Sequence, residues 1–309
     1  MNWRMKGAIQ KVLGVVPAGD QLHFRLQRHL GALRHLAKEL EAKIEDWRLM
    51  AGHLRDAKLP LAGTRFVEMG TGWYPTFPMC LHLGGAARVD TIDLNRYLRK
   101  DLTLEAAALL DSRVPLIAEE SGRPEVDVRA AYRELMGALR RGATIEEATG
   151  GVVRYRAPGD ASATGLPDGT VDVVFSNSVL EHVPGEIIDR CLDEARRILR
   201  PGGVVFHSVN CGDHYAYVDR SINQLNYLRY SDHEWEKWNN RFLYQNRLRS
   251  NDFIDMARKA GFAIELDTSR PHPTRLAQLA EIEVHPRFGR YNEAQLAITS
   301  IDFIGRKPA

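Results

Sequence analysis

From Arg65 onward, short apolar runs alternate with helical stretches, and this alternation limits what the chain can fold into. The runs are FVEM (66–69), RVDTID (88–93), VVRYR (152–156), VDVVFS (171–176) and VVFHSV (204–209). Short apolar runs separated by helical segments indicate parallel strands joined by crossover helices, an α/β sheet. Two later runs, FAIEL (262–266) and AITSIDFI (297–304), are separated by a Pro- and His-containing segment and could close one edge of that sheet.

Ahead of the strands, Leu26, Leu30, Leu33, Ala37, Leu40, Ile44 and Trp47 recur at steps of three and four, with Asp20 as a candidate cap. That spacing predicts one long amphipathic helix preceding the fold proper. Residues 1–60 are therefore expected to form an N-terminal helical arm, and residues 61–309 the main domain. Two blocks, at about 101–150 and 210–250, are far longer than ordinary strand-to-helix connections and are expected to be helical cap insertions, lids or substrate platforms. The first has helical spacing at Leu102, Leu104, Ala107, Leu110, Ala131, Leu135, Ala138 and Leu139. The second holds, between Tyr215 and Tyr244, eight of the chain's 25 aromatic residues.

With 309 residues, 44% hydrophobic and 27% charged, the chain has the composition of a soluble globular protein of one principal domain with additions. A net charge of +2 argues against a nucleic-acid binder, although residues 1–38 carry seven Lys or Arg against the single acid Asp20. Cys80, Cys191 and Cys211 are odd in number and widely spaced, which fits neither a disulfide framework nor a zinc site. No apolar run approaches the roughly 18 residues of a membrane span, and there is no signal-peptide core. A cytoplasmic location is expected. The segment MNWRMKGAIQKVLGVV (1–16) mixes Trp3, Met5, Ile9, Val12, Leu13 and Val16 with Arg4, Lys6 and Lys11. It could touch an anionic membrane peripherally, pack on its own protein, or support a homodimer through the N-terminal helix.

The turn after the first run reads EMGTGWYP, with Glu68 at the strand end followed by Gly70 and Gly72. Glycines there let the backbone approach a ligand closely. A dinucleotide fingerprint needs a further glycine where Pro75 stands, which weakens a nicotinamide reading. Asp93, 25 residues after Glu68, ends the second run in TIDLN, where an acid can accept hydrogen bonds from both hydroxyls of a ribose. Gly159-Asp160-Ala161 follows the third run, LPDGTVDVVFSNSVLEHVP surrounds the fourth, and LRPGG precedes the fifth.

Taken together, these motifs resemble the class I S-adenosylmethionine-dependent methyltransferases, especially the small-molecule branch, over roughly residues 60–305. The chain, with its aromatic block at 214–249, is also similar to methyltransferases of bacterial polysaccharide and secondary-metabolite gene clusters. It implies a Rossmann-like, mostly parallel sheet with an antiparallel edge strand, and S-adenosylmethionine as cofactor. Glu68, Gly70, Thr71, Gly72 and Trp73 would lie on the cofactor loop, Asp93 and Leu94 at the ribose, Asp160 and Ala161 beside the adenine, and Asn177 and Ser178 near the methionine end. Tyr74 stands where many members have a third glycine. A cofactor without a pyrophosphate has no need of that third glycine or of an open helix N-terminus.

Methyl transfer is an in-line displacement and needs a base only where the acceptor carries a proton. His182 is the first candidate, His207 the second; Glu181 could support the helix start that follows. Glu181, His182 and His207 could also converge on a divalent cation, as similar residues do in some methyltransferases of small RNAs and quinone precursors. Ser178 takes the place of a further glutamate there, so no metal is expected. Tyr244 and Arg241, in the aromatic block, are candidates for the acceptor lid, and aromatics interleaved with amides and arginines suit a small molecule or saccharide, although most of these aromatics are expected to be the core of a helical cap with a few lining the pocket. O-methylation of such an acceptor is the leading expectation. N- or S-methylation of a small metabolite, a NAD-dependent oxidoreductase and a non-catalytic cofactor-binding scaffold are the alternatives.

Overall fold

The computed structural model describes residues 2–16, 19–29 and 31–309, apart from the side chains of Asp20 and Ala32. All seven apolar runs are strands: β1 Arg65–Met69, β2 Arg88–Ile92, β3 Val153–Arg156, β4 Val171–Asn177, β5 Leu199–Asn210, β6 Ala263–Asp267 and β7 Ser300–Arg306. They form one sheet in the order β3-β2-β1-β4-β5-β7-β6. β1 runs parallel to β2 and β4, and β2 parallel to β3. β7 runs antiparallel to β5: the Gly202 amide bonds the Lys307 carbonyl at 2.9 Å, and nine residues later, just past the end of β5, the Cys211 amide bonds the Thr299 carbonyl. The antiparallel strand is thus β7, set between β5 and the edge strand β6. This is a Rossmann-like, mostly parallel sheet with one antiparallel strand, as expected.

Parallel strands covered on both faces are apolar throughout, and β1 is buried from Phe66 to Met69. The edge strand β6 instead alternates exposed and half-buried residues. Register fixes the place of the functional turns. Met69 lies opposite both Ile92 and Ser176, so the residues after β1, β2 and β4 leave the sheet at one end.

The N-terminal region departs from the single helix expected. It comprises α1 Trp3–Val15, α2 Gly19–His29, a 3-10 turn Ala32–His35 and α3 Leu36–Asp56. α2 closes at Gly31, whose amide turns back to the carbonyls of Leu26 and Gln27; glycine is a poor helix interior residue, so the periodic pattern is interrupted there. Leu30 lies outside the described residues. Asp20 falls inside α2 rather than at its cap, and its side chain is not described. No described helix is long and apolar enough to cross a membrane.

By packing, the chain divides into two compact units. One contains residues 35–177, 193–206 and 306–309. In it α3 buries Leu40, Ile44, Trp47, Met50 and Leu54, the three-and-four spacing of one helix face. The block at 101–150 is helical as expected, with α4 Thr76–Leu83 before it and α5 Lys100–Leu109, α6 Val114–Ser121, α7 Glu125–Arg140 and α8 Ile145–Ala148 within it.

The other unit contains residues 1–34, 178–192 and 207–305. Helix α9, Gly185–Ile198, begins here. The block at 210–250 is not the helical cap expected. It is mostly irregular, with 3-10 turns at His214–Tyr217 and Asn226–Arg229 and one five-residue helix, α10 Asp232–Glu236. Its aromatics are a core: Tyr215, Tyr227 and Trp235 are buried together with Trp3 of α1, Phe288 and Tyr291. Trp3 thus packs on its own protein, while Met5, Ile9, Val12 and Val15 of α1 remain exposed.

Loop chain buried in this way needs donors for its carbonyls, and Arg249 supplies them. Its guanidinium is fully buried and bonds the carbonyls of Cys211 (2.7 Å), Leu296 (2.9 Å) and Ile298, and the Tyr227 hydroxyl. Helix α11, Ser250–Lys259, starts at the next residue. Replacing Arg249 by Met fills similar space but leaves those acceptors dry. Arg249→Met is expected to lower stability by about 3–5 kcal/mol in urea unfolding; a loss within about 1 kcal/mol would show that the carbonyls find other donors.

Candidate functional site

In the unit that holds β1 to β4, the β1 turn takes a backbone shape reserved for glycine: Gly70 and Gly72 have φ of +84° and +75°. A Cβ on Gly72 would meet no protein atom within 4 Å, so the space over it is open. The Gly72 amide donates to Asp93 Oδ2 at 3.1 Å. The Tyr155 hydroxyl donates to the same oxygen at 3.3 Å and accepts from the Leu98 amide at 3.3 Å. The ends of β1, β2 and β3 are thereby tied around one carboxylate. Burial raises the Asp93 pKa to about 6 against these hydrogen bonds, so Asp93 is ionised at neutral pH.

Glu68 is buried deeper and accepts from the Thr91 hydroxyl, which Thr71 also meets. Its pKa is pushed up to about 8 by burial. Trp73 leans on Tyr97 with ring centroids 5.1 Å apart, and its carbonyl accepts from the Arg99 amide. Leu94 is 75% exposed beside Asp93. Asp160 is exposed and its Oδ1 closes a turn on the Ser162 amide and hydroxyl at 2.8 and 2.7 Å; Ala161 beside it is half-buried. Asn177 donates to Asp46 of α3 at 3.0 Å.

α3 was expected to precede the fold proper, yet it contributes to this cradle. Lys43 of α3 holds its ammonium 4.6 Å from the centre of the Tyr74 ring, with Glu68, Asp93, Glu39 and Asp46 as the surrounding acids. Tyr155, Lys43 and Asp46 were not singled out from sequence. Tyr155 reads only as a strand residue and the other two as the polar side of an amphipathic helix.

The second constellation lies in the other unit. Ser178 has φ +55°, a left-handed conformation unusual outside glycine, and its amide bonds the Ser208 carbonyl at 2.9 Å. The turn Leu180–His182 that follows is pinned by Asn246, whose side-chain amide bonds the carbonyls of Leu180 and Val183 at 2.7 and 2.8 Å. Glu181, His182 and His214 converge here, with ligand atoms all within 4.8 Å of one another.

His182 Nδ1 lies 2.6 Å from the Tyr244 carbonyl. A carbonyl only accepts, so Nδ1 carries the proton and Nε2 keeps its lone pair. Burial lowers the His182 pKa, and it lowers that of His214 to about 3. Burial also raises the Glu181 pKa to about 8, against a smaller opposing pull from the backbone amides of Glu181 and Asn210. Neither carboxylate oxygen meets a hydrogen-bond donor among the described residues, and neither does His214 Nε2. Glu181 and His214 approach to 3.9 Å, but burial keeps the proton on the acid and off the imidazole. They form a neutral pair rather than a salt bridge.

His207 is not part of this cluster. It is a fully buried core residue on β5, 5.3 Å from the Phe303 ring, and burial holds its pKa near 3. The sequence pattern of the strand could not separate that fate from a catalytic one. Tyr244 contributes its carbonyl, and Arg241 is exposed, with its guanidinium on the Phe242 ring and 3.5 Å from the Gly14 carbonyl. His214 completes the cluster in the place expected for His207. Two imidazoles and a carboxylate so arranged can hold a divalent cation, or pass a proton. The expectation of no metal rested on Ser178 and took no account of His214.

Residues 131–207 match the family model described as a methyltransferase domain. No curated protein matches the sequence. Among solved structures the chain is similar to an S-adenosylmethionine dependent methyltransferase from Mesorhizobium loti, at 18% identity, TM-score 0.43, over 82% of this chain and 96% of that one. It is also similar to geranyl diphosphate C-methyltransferase from Streptomyces coelicolor, at 12% identity, TM-score 0.47, covering 88% and 82%. A third is the [4+2]-cyclase SpnF, at 16% identity, TM-score 0.46, covering 85% and 81%.

The protonation of Glu181 has a measurable consequence. Its folded pKa, about 8, lies above its ordinary value of 4.5. Between those values the unfolded chain releases a proton that the folded one keeps, so this group destabilises the fold as pH rises through that window. Wild-type stability is therefore expected to fall relative to Glu181→Gln between about pH 5 and 8, by at most about 1.4 kcal/mol per pH unit. Parallel urea-unfolding profiles for the two proteins would show that Glu181 is not held protonated.

Proposed function

We propose that the methyltransferase domain of this chain moves the methyl group of S-adenosylmethionine onto an oxygen of a small molecule or saccharide, with His182 as the base. The observation that carries this reading is the fixed tautomer of His182. Its Nδ1–H is committed to the Tyr244 carbonyl at 2.6 Å, and burial keeps the ring neutral. A neutral imidazole with a free Nε2 lone pair at physiological pH is the form a general base needs.

The cofactor half of the reading rests on the Gly72 and Asp93 arrangement. An ionised carboxylate at the end of β2 suits two ribose hydroxyls, and the open space over Gly72 admits a ligand against bare backbone. Tyr74 and Pro75 follow where a pyrophosphate-binding turn would need glycine.

The chemistry balances simply. As the acceptor oxygen forms its bond to the methyl carbon, its proton passes to His182 Nε2 and the carbon–sulfur bond breaks. That electron pair stays on sulfur, which leaves as the neutral thioether of S-adenosylhomocysteine. Held reactants convert this bimolecular displacement into an intramolecular one. The Glu181, His182 and His214 set supports a second reading, in which a bound divalent cation acidifies the acceptor hydroxyl instead.

Incubating the protein with methyl-labelled S-adenosylmethionine and fractionated extract of its native cell tests the proposal. Labelled small molecule or saccharide is the expected product. His182→Ala is expected to lower its formation by roughly 10²–10⁴-fold while keeping the melting-temperature rise caused by S-adenosylhomocysteine. Loss of activity on chelation would favour the cation. Turnover within about tenfold of wild type would point to a nitrogen or sulfur acceptor that needs no base, and label only on protein or nucleic acid would overturn the acceptor class.

A further inference from the structure

Lys43 of α3 is the least satisfied charge near the cofactor loop. Its side chain is half-buried and, among the described residues, its ammonium makes no hydrogen bond or ion pair. What it does meet is the face of Tyr74, at 4.6 Å. A ring face steadies a cation but does not replace the water that burial removes. The nearest acids are already in use: Glu68 accepts from Thr91, Asp93 from Gly72 and Tyr155, and Asp46 from Asn177. An anionic group carried on a ligand would give the ammonium the direct bonding partner that these acids do not.

The surroundings narrow what that anion can be. Asp93, Glu39 and Asp46 all act on Lys43, beside a Glu68 that burial keeps largely protonated, so one ammonium stands among several acidic side chains. A free anion would be repelled from such a place. A carboxylate that arrives on a molecule with positive charges of its own would not, because those charges meet the acids. S-adenosylmethionine is such a molecule, with a sulfonium and an ammonium beside its carboxylate. Tyr74 is also two residues from Gly72, so the ring that meets the ammonium belongs to the same β1 turn whose backbone is open at Gly72.

We propose that Lys43, steadied on the Tyr74 ring, binds the carboxylate at the amino-acid end of the cofactor, so that α3 selects ligands carrying that group. This rests on the cofactor reading above. It gives Asp93, at the end of β2, and the helix lysine separate tasks, the one for the nucleoside and the other for the amino acid.

The test compares two ligands that share the adenosine and sulfur and differ in the amino-acid end: S-adenosylhomocysteine and 5′-methylthioadenosine. Calorimetric titration of wild type, Lys43→Met and Lys43→Arg with each separates the two tasks. Lys43→Met is expected to weaken S-adenosylhomocysteine by about ten- to a hundredfold and to leave 5′-methylthioadenosine within about twofold. Lys43→Arg is expected to restore part of the loss. Retained 5′-methylthioadenosine binding also reports that the variant is folded. If Lys43→Met leaves S-adenosylhomocysteine unchanged, or weakens both ligands alike, Lys43 is not the anchor and the cofactor reading stands without it. If wild type binds neither ligand, both the anchor and the cofactor reading fall.

Discussion

The hydrogen bond from the Gly72 amide to Asp93 organises the end of the sheet at which β1, β2 and β3 finish. It requires a left-handed backbone at Gly72, and that is possible because no side chain stands there. It requires an acid on the neighbouring strand in parallel register, which the pairing of Met69 with Ile92 provides. Tyr155 adds the third strand to the same carboxylate and passes on to the Leu98 amide. One ionised group thereby holds three strand ends and the loops that leave them, and donors supplied by the backbone keep it charged despite its burial.

In the other unit the same physics runs the opposite way. Glu181 is buried more deeply than Asp93 and has no donor at bonding distance, so burial prevails and the acid keeps its proton. His214 and His182 stay neutral for the same reason. The cluster thus stores a proton on the carboxyl and lone pairs on the imidazoles, a distribution suited to accepting a proton from a hydroxyl or binding a cation. Asn246 keeps it in place through two backbone carbonyls, from within a block otherwise devoted to an aromatic core.

The parts legible in the sequence are those governed by local periodicity. The strands followed from short apolar runs, and Glu68, Gly70, Gly72 and Asp93 from their positions at strand ends. What escaped was set by tertiary packing. A helical repeat says which face of α3 is buried, but not that Lys43 meets Tyr74 after β1 and Asp46 meets Asn177 at the end of β4. It also runs across Gly31, where the backbone breaks the helix. Histidine on a strand and histidine after it look alike in sequence. The structure buries His207 against Phe303 and delivers His214 to Glu181. The density of aromatics between Tyr215 and Tyr244 points to rings that are mostly core, and most of them do fill a core around Trp3 and Trp235, but in a block that is irregular where helices were expected.

The central claim is that the Gly72 and Asp93 cradle takes a nucleoside without a pyrophosphate. Calorimetric titration of the unmodified protein with S-adenosylhomocysteine and, separately, with NAD tests it most directly. Saturable one-to-one binding of S-adenosylhomocysteine with no heat of binding from NAD is the expected result. Binding of NAD in its place, or no binding of S-adenosylhomocysteine, would contradict it.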